Sequence, residues 1–175
     1  KMRRLMIILR DIELRRGSKL LLQDAQVTIQ PGQRLALIGA NGSGKSSLFS
    51  LLLGELGADA GEIEGLSKLR LSHMAQEVHA TDLPAGEYVW RGDSHLASLL
   101  DRLAGYEAKE DFHSAAPIHS ELEAIDGYSA DRRAQRLLQG LGFAEDAHQR
   151  RVSDFSGGWR IRLNLARALM TPSDV

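Results

Sequence analysis

The sequence predicts an α/β protein in which a β-rich first third precedes a helical stretch. Short apolar runs, separated by turn signals at residues 17–18 and 31–32, are typical of an antiparallel β-subdomain. The apolar run RLALIG, residues 34–39, leads directly into glycine and then into a helical pattern, as a buried strand of a parallel sheet does. From about Gly92 onward, apolar residues recur at helical spacing.

The individual elements follow in order along the chain. We expect strands in LMIIL, DIELRRG, KLLLQ, AQVTIQ and GEIEG, and strand character in KLRLSHMAQE up to about Met74. Helical periodicity appears in KSSLFSLLLGEL and stops near Gly54. Three further helices are expected in SHLASLLDRLAGYEAKE, IHSELEAIDG and SADRRAQRLLQGLGF. Ser94 and Ser129 are the expected N-caps of the first and third of these helices.

A last helix is expected from about Gly157 to Met170, and Pro172 ends it. Two apolar stripes run along it, one of Ile161, Leu165 and Leu169 and the other of Leu163, Ala166 and Met170. A helix that is apolar on more than one side is usually buried. We therefore expect this helix to lie against a sheet or in a groove.

Composition excludes several classes of protein. The 175 residues include no cysteine, which excludes disulfides, thiol chemistry and cysteine-ligated metal. The formal net charge of −1 gives no overall field that would steer the chain toward nucleic acid or a membrane. No apolar run approaches the roughly 20 residues that span a bilayer, and the six histidines show no metal-ligand spacing. We expect a cytoplasmic protein without direct membrane insertion.

The segment GANGSGKS fits the phosphate-loop pattern G-x-x-x-x-G-K-[ST] completely. Its glycines let backbone N–H groups turn toward phosphate oxygens, and the N-terminus of the following helix favours negative charge. Lys45 is expected to reach the β- and γ-phosphates, and the Ser46 hydroxyl is expected to hold Mg²⁺. No guanine-specifying N-K-x-D motif is present. The predicted nucleotide site comprises Gly39, Ala40, Asn41, Gly42, Ser43, Gly44, Lys45, Ser46 and Ser47.

A second motif, SGGWR, opens the last predicted helix. With it the sequence resembles the ABC-type ATPases, whose usual signature is L-S-G-G-Q. PGQRLALIGANGSGKSSL is similar to the strand and phosphate loop of that family, and Gln76 in HMAQE stands where the family has its Q-loop glutamine. DFSGGWRIRLNLARALM and AIDGYSADRRAQRLLQGLGF resemble the ABC-F branch, where Trp159 is a common replacement for the signature glutamine. That branch consists of soluble proteins with two ATPase cassettes in one chain, many of which act on the ribosome.

The resemblance implies a fold and a division of roles. The P-loop NTPase core with its β-subdomain would occupy residues 1–91, the helical subdomain 92–152, and the signature and its helix 153–175. Two cassettes would face each other head to tail, so that each signature contacts the ATP held by the other's phosphate loop. The signature residues with that role are Ser156, Gly157 and Gly158.

Physically, a serine hydroxyl and the N–H groups of a helix N-terminus suit a phosphate oxygen. The alternative for Ser156 is a plain helix N-cap. Gln76 would be an auxiliary group that positions Mg²⁺ and water. Arg16 stands where transporter cassettes often carry an adenine-stacking aromatic, and a guanidinium plane can stack on a base. A surface role for Arg16 is the alternative.

The resemblance also implies that the Walker B Asp, the catalytic Glu and the switch His follow after Val175. The chain would then be a truncated N-terminal part of a first cassette, inactive alone. The spacing between Gln76 and Ser156 is longer than expected for a transporter cassette. In the ABC-F branch an arm-like hairpin that touches RNA lies here, so the resemblance implies such a hairpin at about 94–126, although EAKEDF and ELEAID make this region acid-rich. The expected function is an ABC-F ATPase acting on the ribosome. The alternatives are the ATP-binding subunit of a membrane transporter and a nucleotide-gated binding module with incidental hydrolysis.

Overall fold

The computed structural model describes residues 6–75 and 80–175, and they form two compact units. One unit runs up to Leu71 and includes Asp174–Val175, and the other is Ser72–Ser173. The first unit contains the strands β1 (Ile7–Arg16), β2 (Lys19–Ile29) and β3 (Ala60–Glu64) and the helix α1 (Lys45–Leu52). The second contains α2 (Ala85–Trp90), α3 (Ser94–Glu107), α4 (Phe112–Ala124), α5 (Ala130–Gly140) and α6 (Gly157–Met170).

The three strands form an antiparallel sheet in the order β2-β1-β3, which confirms the predicted antiparallel β-subdomain. LMIIL and DIELRRG, predicted as separate strands, are joined in the structure, because Ile7–Leu9 of the first and Asp11–Arg16 of the second both lie in β1. A register shift between Leu9 and Ile12 separates them, and Asp11 there has a φ of 49°. The extra residue of such a bulge resets the alternation of side chains. Ile12 is therefore buried like Leu9. In a regular strand, two residues three positions apart would lie on opposite faces of the sheet.

Gly61 on β3 accommodates this bulge. Its φ is +90°, and a Cβ at this position would lie 2.4 Å from the carbonyl oxygen of Arg10 and 2.5 Å from that of Asp11. Glycine adopts such a φ without steric cost and leaves room for the approaching backbone. The bulge and the glycine thus occur together where β1 and β3 pair.

The buried strand predicted at residues 34–39 is wrong. This segment forms no strand and is exposed, and Ile38 is 90% exposed. A strand of a parallel sheet needs hydrogen-bonded neighbours, and the part of the chain that the structure describes supplies none to this segment. The strand character predicted for KLRLSHMAQE is also wrong over its described residues, where a short 3₁₀ turn at Leu66–Lys68 leads into an extended chain without ladder partners.

The second unit is helical, as the spacing of its apolar residues predicts. α3 and α5 lie in two predicted segments, while α4 starts at Phe112, before the predicted IHSELEAIDG. α2 was missed, although Ala85, Tyr88 and Val89 lie on one buried face at helical spacing. A helix of six residues next to a proline gives too short a periodic signal to be recognised.

The two expected N-caps are corrected in part. Asp93, not Ser94, caps α3, and its carboxylate accepts a hydrogen bond from the N–H of Leu96 at 3.1 Å. Ser129 occupies the N-cap position of α5 without a capping side-chain bond. Its hydroxyl donates instead to the carbonyl and the carboxylate of Asp126. In both cases the acceptor is a nearby aspartate, whose charged carboxylate is a stronger acceptor than a serine hydroxyl. At α3 the donor is the Leu96 N–H, and at α5 it is the Ser129 hydroxyl.

α6 has the predicted bounds, but only one of its two apolar stripes is buried. Leu163, Ala166 and Met170 pack into the core of the second unit. Ile161, Leu165 and Leu169 are 56%, 37% and 57% exposed. The prediction of wide burial is therefore wrong for the second unit, because its core lies on one side of the helix. No helix among residues 6–75 and 80–175 is long and apolar enough to cross a membrane.

Candidate nucleotide site and signature segment

The GANGSGKS segment forms a tight turn that leads into α1. Gly42 and Gly44 have φ values of +75° and +98°, which L side chains rarely adopt, and Gly44 is the N-cap of the helix. A Cβ at Gly39 would lie 2.7 Å from the Oγ of Ser43. The N–H of Ser43 donates to the carbonyl of Ala40 at 3.2 Å. The sequence therefore needs its glycines here for the shape of the loop itself.

The Lys45 side chain lies across this loop. Its Nζ donates to the carbonyl oxygens of Gly39 at 2.7 Å and Ala40 at 2.8 Å. Lys45 is the first residue of α1, so its ammonium lies close to a helix N-terminus, where anions are favoured. An ammonium carries three N–H donors, so these two bonds leave one for a ligand.

Ser46 and Ser47 differ in exposure. Ser46 is exposed in the first turn of α1, whereas Ser47 is only 6% exposed. A contact between Ser47 and a nucleotide would therefore come from its backbone N–H. The Ser46 hydroxyl is the kind of hard oxygen donor that Mg²⁺ prefers, and Mg²⁺ takes its remaining ligands from phosphate and water. The residues present thus fit a magnesium ion held together with a bound nucleotide.

The prediction of the site missed Lys19, at the start of β2. Its Nζ donates to the carbonyl of Gly42 at 3.0 Å and so brings a second ammonium to the loop. The neighbouring Leu21 Cβ lies 3.1 Å from the position of a Cβ on Gly44. Nothing in the local sequence signals this contact, because Lys19 and Gly42 are 23 residues apart and only the fold brings them together.

Arg16 and Gln76 are the remaining predicted residues of the nucleotide site. Arg16 is exposed at the end of β1 and pairs with Lys19 across the hairpin. Its stacking on adenine stays a prediction. Gln76 lies outside the described residues. No group of three or more His, Asp and Glu side chains that could hold a metal ion occurs within residues 6–75 and 80–175.

The signature segment precedes α6 directly. Ser156 is the N-cap residue, with extended backbone, and its carbonyl accepts the first helical bond from Arg160 at 2.9 Å. In the described structure its side chain makes no capping hydrogen bond. Ser156, Gly157 and Gly158 are all exposed. The arrangement in which Ser156 caps its own helix through its hydroxyl is therefore not the one found.

Neither glycine of this segment is required by packing. A Cβ added to Gly157 or Gly158 would meet no atom of the described residues within 4 Å, the adjacent residues and the backbone of α6 aside. Neither glycine has a positive φ. The space above the segment is thus open to a ligand that approaches the N–H groups closely.

A separate open cavity of about 610 Å³ lies in the second unit and is lined by none of the predicted site residues. Arg91 forms a bidentate pair with Asp101 there, at 3.0 and 2.9 Å, which lowers the pKa of Asp101. The cavity is lined by Arg91, Ser94, Ala97, Ser98, Asp101, Arg102 and Arg167.

Comparisons with known proteins indicate the family to which the chain belongs. A family model described as ABC transporter matches residues 22–175. The chain belongs to the ABC transporter family. A solved structure described as the ATP binding subunit of an ABC transporter superimposes with a TM-score of 0.63 at 18% identity, over 94% of this chain and 62% of that one. At that identity the likeness establishes the fold, which confirms the predicted ABC ATPase architecture.

Curated relatives indicate the branch. The Escherichia coli (strain K12) protein named "Probable ATP-binding protein YheS" is 45% identical over 97% of this chain and 27% of its own length. The human protein named "ATP-binding cassette sub-family F member 3" is 35% identical over 91% of this chain and 23% of its own length. The resemblance to the ABC-F branch is confirmed. The chain spans about a quarter of the length of these relatives.

Proposed function

We propose that this chain is the ATP-binding part of an ABC-F ATPase cassette that binds Mg-ATP at residues 39–47 and completes a second ATP site with its signature segment. The observation that carries the proposal is the pairing of Lys45 with the carbonyls of Gly39 and Ala40 inside a glycine loop at the start of α1. Such a loop offers backbone N–H groups, a helix N-terminus and an ammonium to one polyphosphate.

Each residue of the loop has a distinct part in binding. On ATP binding, Lys45 exchanges one or both of its carbonyl partners for β- and γ-phosphate oxygens, which are stronger acceptors because they are charged. The Ser46 hydroxyl would be a ligand of Mg²⁺, with Gln76 as an auxiliary group. Bound Mg²⁺ would neutralise part of the charge on these phosphates. The loop itself positions the nucleotide and has no nucleophile or base.

The signature segment is proposed to act on ATP held by a second cassette. Its support is the exposed Ser156 hydroxyl, which makes no capping bond, together with two glycines that the packing of this chain does not require. The absence of a Cβ at Gly157 and at Gly158 leaves the first N–H groups of α6 accessible to a γ-phosphate. Donors that are already in place where charge develops can raise a rate roughly 10²–10³-fold each.

The proposal extends to the whole protein. Because the chain spans only 27% of the E. coli relative, we expect the Walker B Asp, the catalytic Glu, the switch His and the second cassette on other parts of the protein. These 175 residues alone are then expected to turn over no ATP. We further propose a cytoplasmic location and action on the ribosome, with the hairpin of α3 and α4 as the part that reaches RNA. The relationship of this chain to the ABC-F branch supports these proposals.

Sedimentation tests the ribosomal part of the proposal. The full-length protein is mixed with ribosomes and either a non-hydrolysable ATP analogue with Mg²⁺, ADP with Mg²⁺, or no nucleotide. We expect it to pellet with ribosomes only in the first mixture. Failure to pellet, with the analogue bound by calorimetry, would contradict a ribosomal role and favour a transporter or another partner. Failure to bind the analogue at all would contradict the proposed binding of ATP at residues 39–47.

A further inference from the structure

We propose that Phe143, Phe155 and Trp159 form an aromatic clamp that positions the signature segment for catalysis at the opposite ATP site. Phe155 and Trp159 directly flank residues 156–158, and Phe143 contacts both rings. The inference rests on the proposed function, because the clamp has a catalytic consequence only where the signature acts on a second nucleotide. Phe143 and Trp159 would be positioning residues, acting through Ser156.

The geometry of the clamp is specific. Phe143 lies between α5 and the 3₁₀ turn Glu145–Gln149 and is only 6% exposed. Its ring centroid lies 5.6 Å from that of Phe155, at an interplanar angle of 74°, and 4.7 Å from that of Trp159, at 62°. Both are edge-to-face arrangements, which aromatic rings prefer to a face-to-face sandwich. One buried ring thus holds both ends of the signature segment.

The segment between the two anchors has little else to fix it. Gly157 and Gly158 contribute no side chain, glycine has the largest backbone freedom of any residue, and the Ser156 side chain makes no capping bond. The backbone hydrogen bond from Arg160 to Ser156 holds the first turn of α6. Side-chain anchoring therefore comes from the residues immediately before and after the segment.

An arginine lies over each of the two rings that flank the signature segment. The guanidinium carbon of Arg150 lies 4.6 Å from the ring centroid of Phe155, and that of Arg162 lies 4.6 Å from that of Trp159. Such contacts are attractive because the face of an aromatic ring is electron-rich. The Arg162 guanidinium also donates to the carbonyl of Leu141 at 3.4 Å, two residues before Phe143. The two cations place positive charge at both ends of a segment that would receive a phosphate.

The consequence concerns rate more than affinity. ATP would be bound by a phosphate loop, to which the clamp contributes no residue, while the signature donors must be in register with the γ-phosphate for hydrolysis. Misplacement by about 1 Å can lower a rate roughly 10²-fold. Loosening one ring contact is a smaller change, so we expect turnover to fall while KM for ATP stays close to the parent value.

Four variants of the full-length protein test the clamp. Trp159→Leu removes a ring from a side chain that is 36% exposed, so the fold should tolerate it. Trp159→Phe keeps an edge-to-face partner for Phe143. Trp90→Leu is the matched control, because Trp90 is partly buried in the same unit and also lies beneath an arginine, at 4.9 Å, but does not flank the signature. Ser156→Arg places a bulky cation in the signature and defines how much turnover depends on it.

The readouts are kcat, KM and the number of ATP molecules bound per protein. The last of these measures the fraction of each preparation that is folded, so that kcat can be expressed per bound ATP. Trp159→Leu should lower the Ser156-dependent turnover about three- to tenfold, with KM and binding stoichiometry unchanged. Trp159→Phe should restore it to within about twofold. Trp90→Leu should behave like the parent in kcat per bound ATP.

The outcomes separate this inference from the function on which it rests. If Ser156→Arg keeps the parent turnover, the signature does not act on a second ATP and the proposed function fails. If Ser156→Arg abolishes turnover but Trp159→Leu does not lower it, the clamp is wrong while the proposed function stands. The clamp is also wrong if Trp159→Phe is as slow as Trp159→Leu, or if Trp90→Leu is equally slow per bound ATP.

Discussion

Asn164 donates from its Nδ2 to the carbonyl oxygen of Ala75 at 2.7 Å. Asn164 is only 4% exposed and is one of the buried residues of α6, with Leu163, Ala166 and Met170. A second bond, from the Ser72 hydroxyl to the carbonyl of Ala168 at 2.7 Å, runs in parallel to it. Together they fasten the chain that leads to Gln76 onto the helix that begins with the signature.

Substitution of Asn164 should destabilise the second unit. Asn164→Ala leaves the Ala75 carbonyl without its partner, and losing the partner of a buried polar group costs about 1–3 kcal/mol. Urea unfolding of the full-length protein, followed by a probe in this unit, measures the change. Asn164→Asp is the matched variant, because it keeps the size of the side chain but replaces the donor with an acceptor, and it should destabilise at least as much.

A result within about 0.5 kcal/mol of the parent for both variants would contradict this prediction, since that is the range of ordinary surface substitutions. Destabilisation by Asn164→Ala alone would mean that the volume of the side chain, and not its hydrogen bond to Ala75, is what the site requires.

Lys45→Ala should remove most of the affinity for ATP. In the proposed site Lys45 is the main point charge on the β- and γ-phosphates, and hydrogen bonds to charged groups contribute about 1.5–3 kcal/mol each. Calorimetry of the full-length protein with Mg-ATP measures the affinity of the cassette that contains Lys45. Affinity within about threefold of the parent, which is under about 0.7 kcal/mol, would mean that the loop is not the site.

Lys19→Ala is the control for Lys45→Ala, because both ammonium groups touch carbonyls of the same loop. Lys19 lies in β2 and donates to the carbonyl of Gly42 from outside the loop, so its removal should weaken ATP binding less than that of Lys45. If the two variants lose equal affinity, the effect comes from the shape of the loop and Lys45 has no special role toward phosphate.

The local sequence specifies some elements fully and others only in part. α6 has the predicted bounds, and the hairpin turns at Gly17 as predicted, because the signals for these features lie within the element or at its ends. The Leu9–Ile12 bulge was not predicted, because it depends on Gly61 of another strand. Residues 34–39 were predicted as a buried strand from composition, but burial depends on neighbours that a local pattern does not reveal.

The same distinction applies to the candidate site. The phosphate loop is predictable because its motif is contiguous and each residue type has a chemical reason. Lys19 could not be predicted, because it is 23 residues from Gly42 in the sequence and only the fold brings the two together. Nor could Phe143 be connected with Trp159, since their contact joins the loop after α5 to the start of α6.

Arg16→Ala should lower nucleotide affinity by no more than about 1–2 kcal/mol, the range of a cation–π or stacking contact that is partly exposed. Arg16→Tyr should keep or improve the affinity, because an aromatic ring stacks on adenine at least as well as a guanidinium. Calorimetry with Mg-ATP and with inorganic triphosphate separates base stacking from phosphate binding. An unchanged ATP affinity in Arg16→Ala would support the alternative that Arg16 is a surface residue.

Gly158→Ala should make the protein more stable and less active. Gly158 lies in the first turn of α6 with ordinary helical φ and open space around its Cβ position, so alanine should stabilise the helix by about 0.5–1 kcal/mol. The added methyl group would, however, occupy the space through which a γ-phosphate approaches the N–H groups. We therefore expect turnover of the full-length protein to fall by about tenfold or more, since one such donor is worth roughly 10²–10³ in rate.

Gly105→Ala provides the matched control for this last change. Gly105 lies within α3, and a Cβ there also meets no atom of the described residues within 4 Å, the α3 backbone aside. It should give the same gain in unfolding free energy and leave turnover unchanged. Turnover is measured at saturating ATP, and stability by urea unfolding of the same preparations. If Gly158→Ala is as active as Gly105→Ala, the open space at the signature receives no phosphate, and Gly158 is an ordinary residue of a helix start.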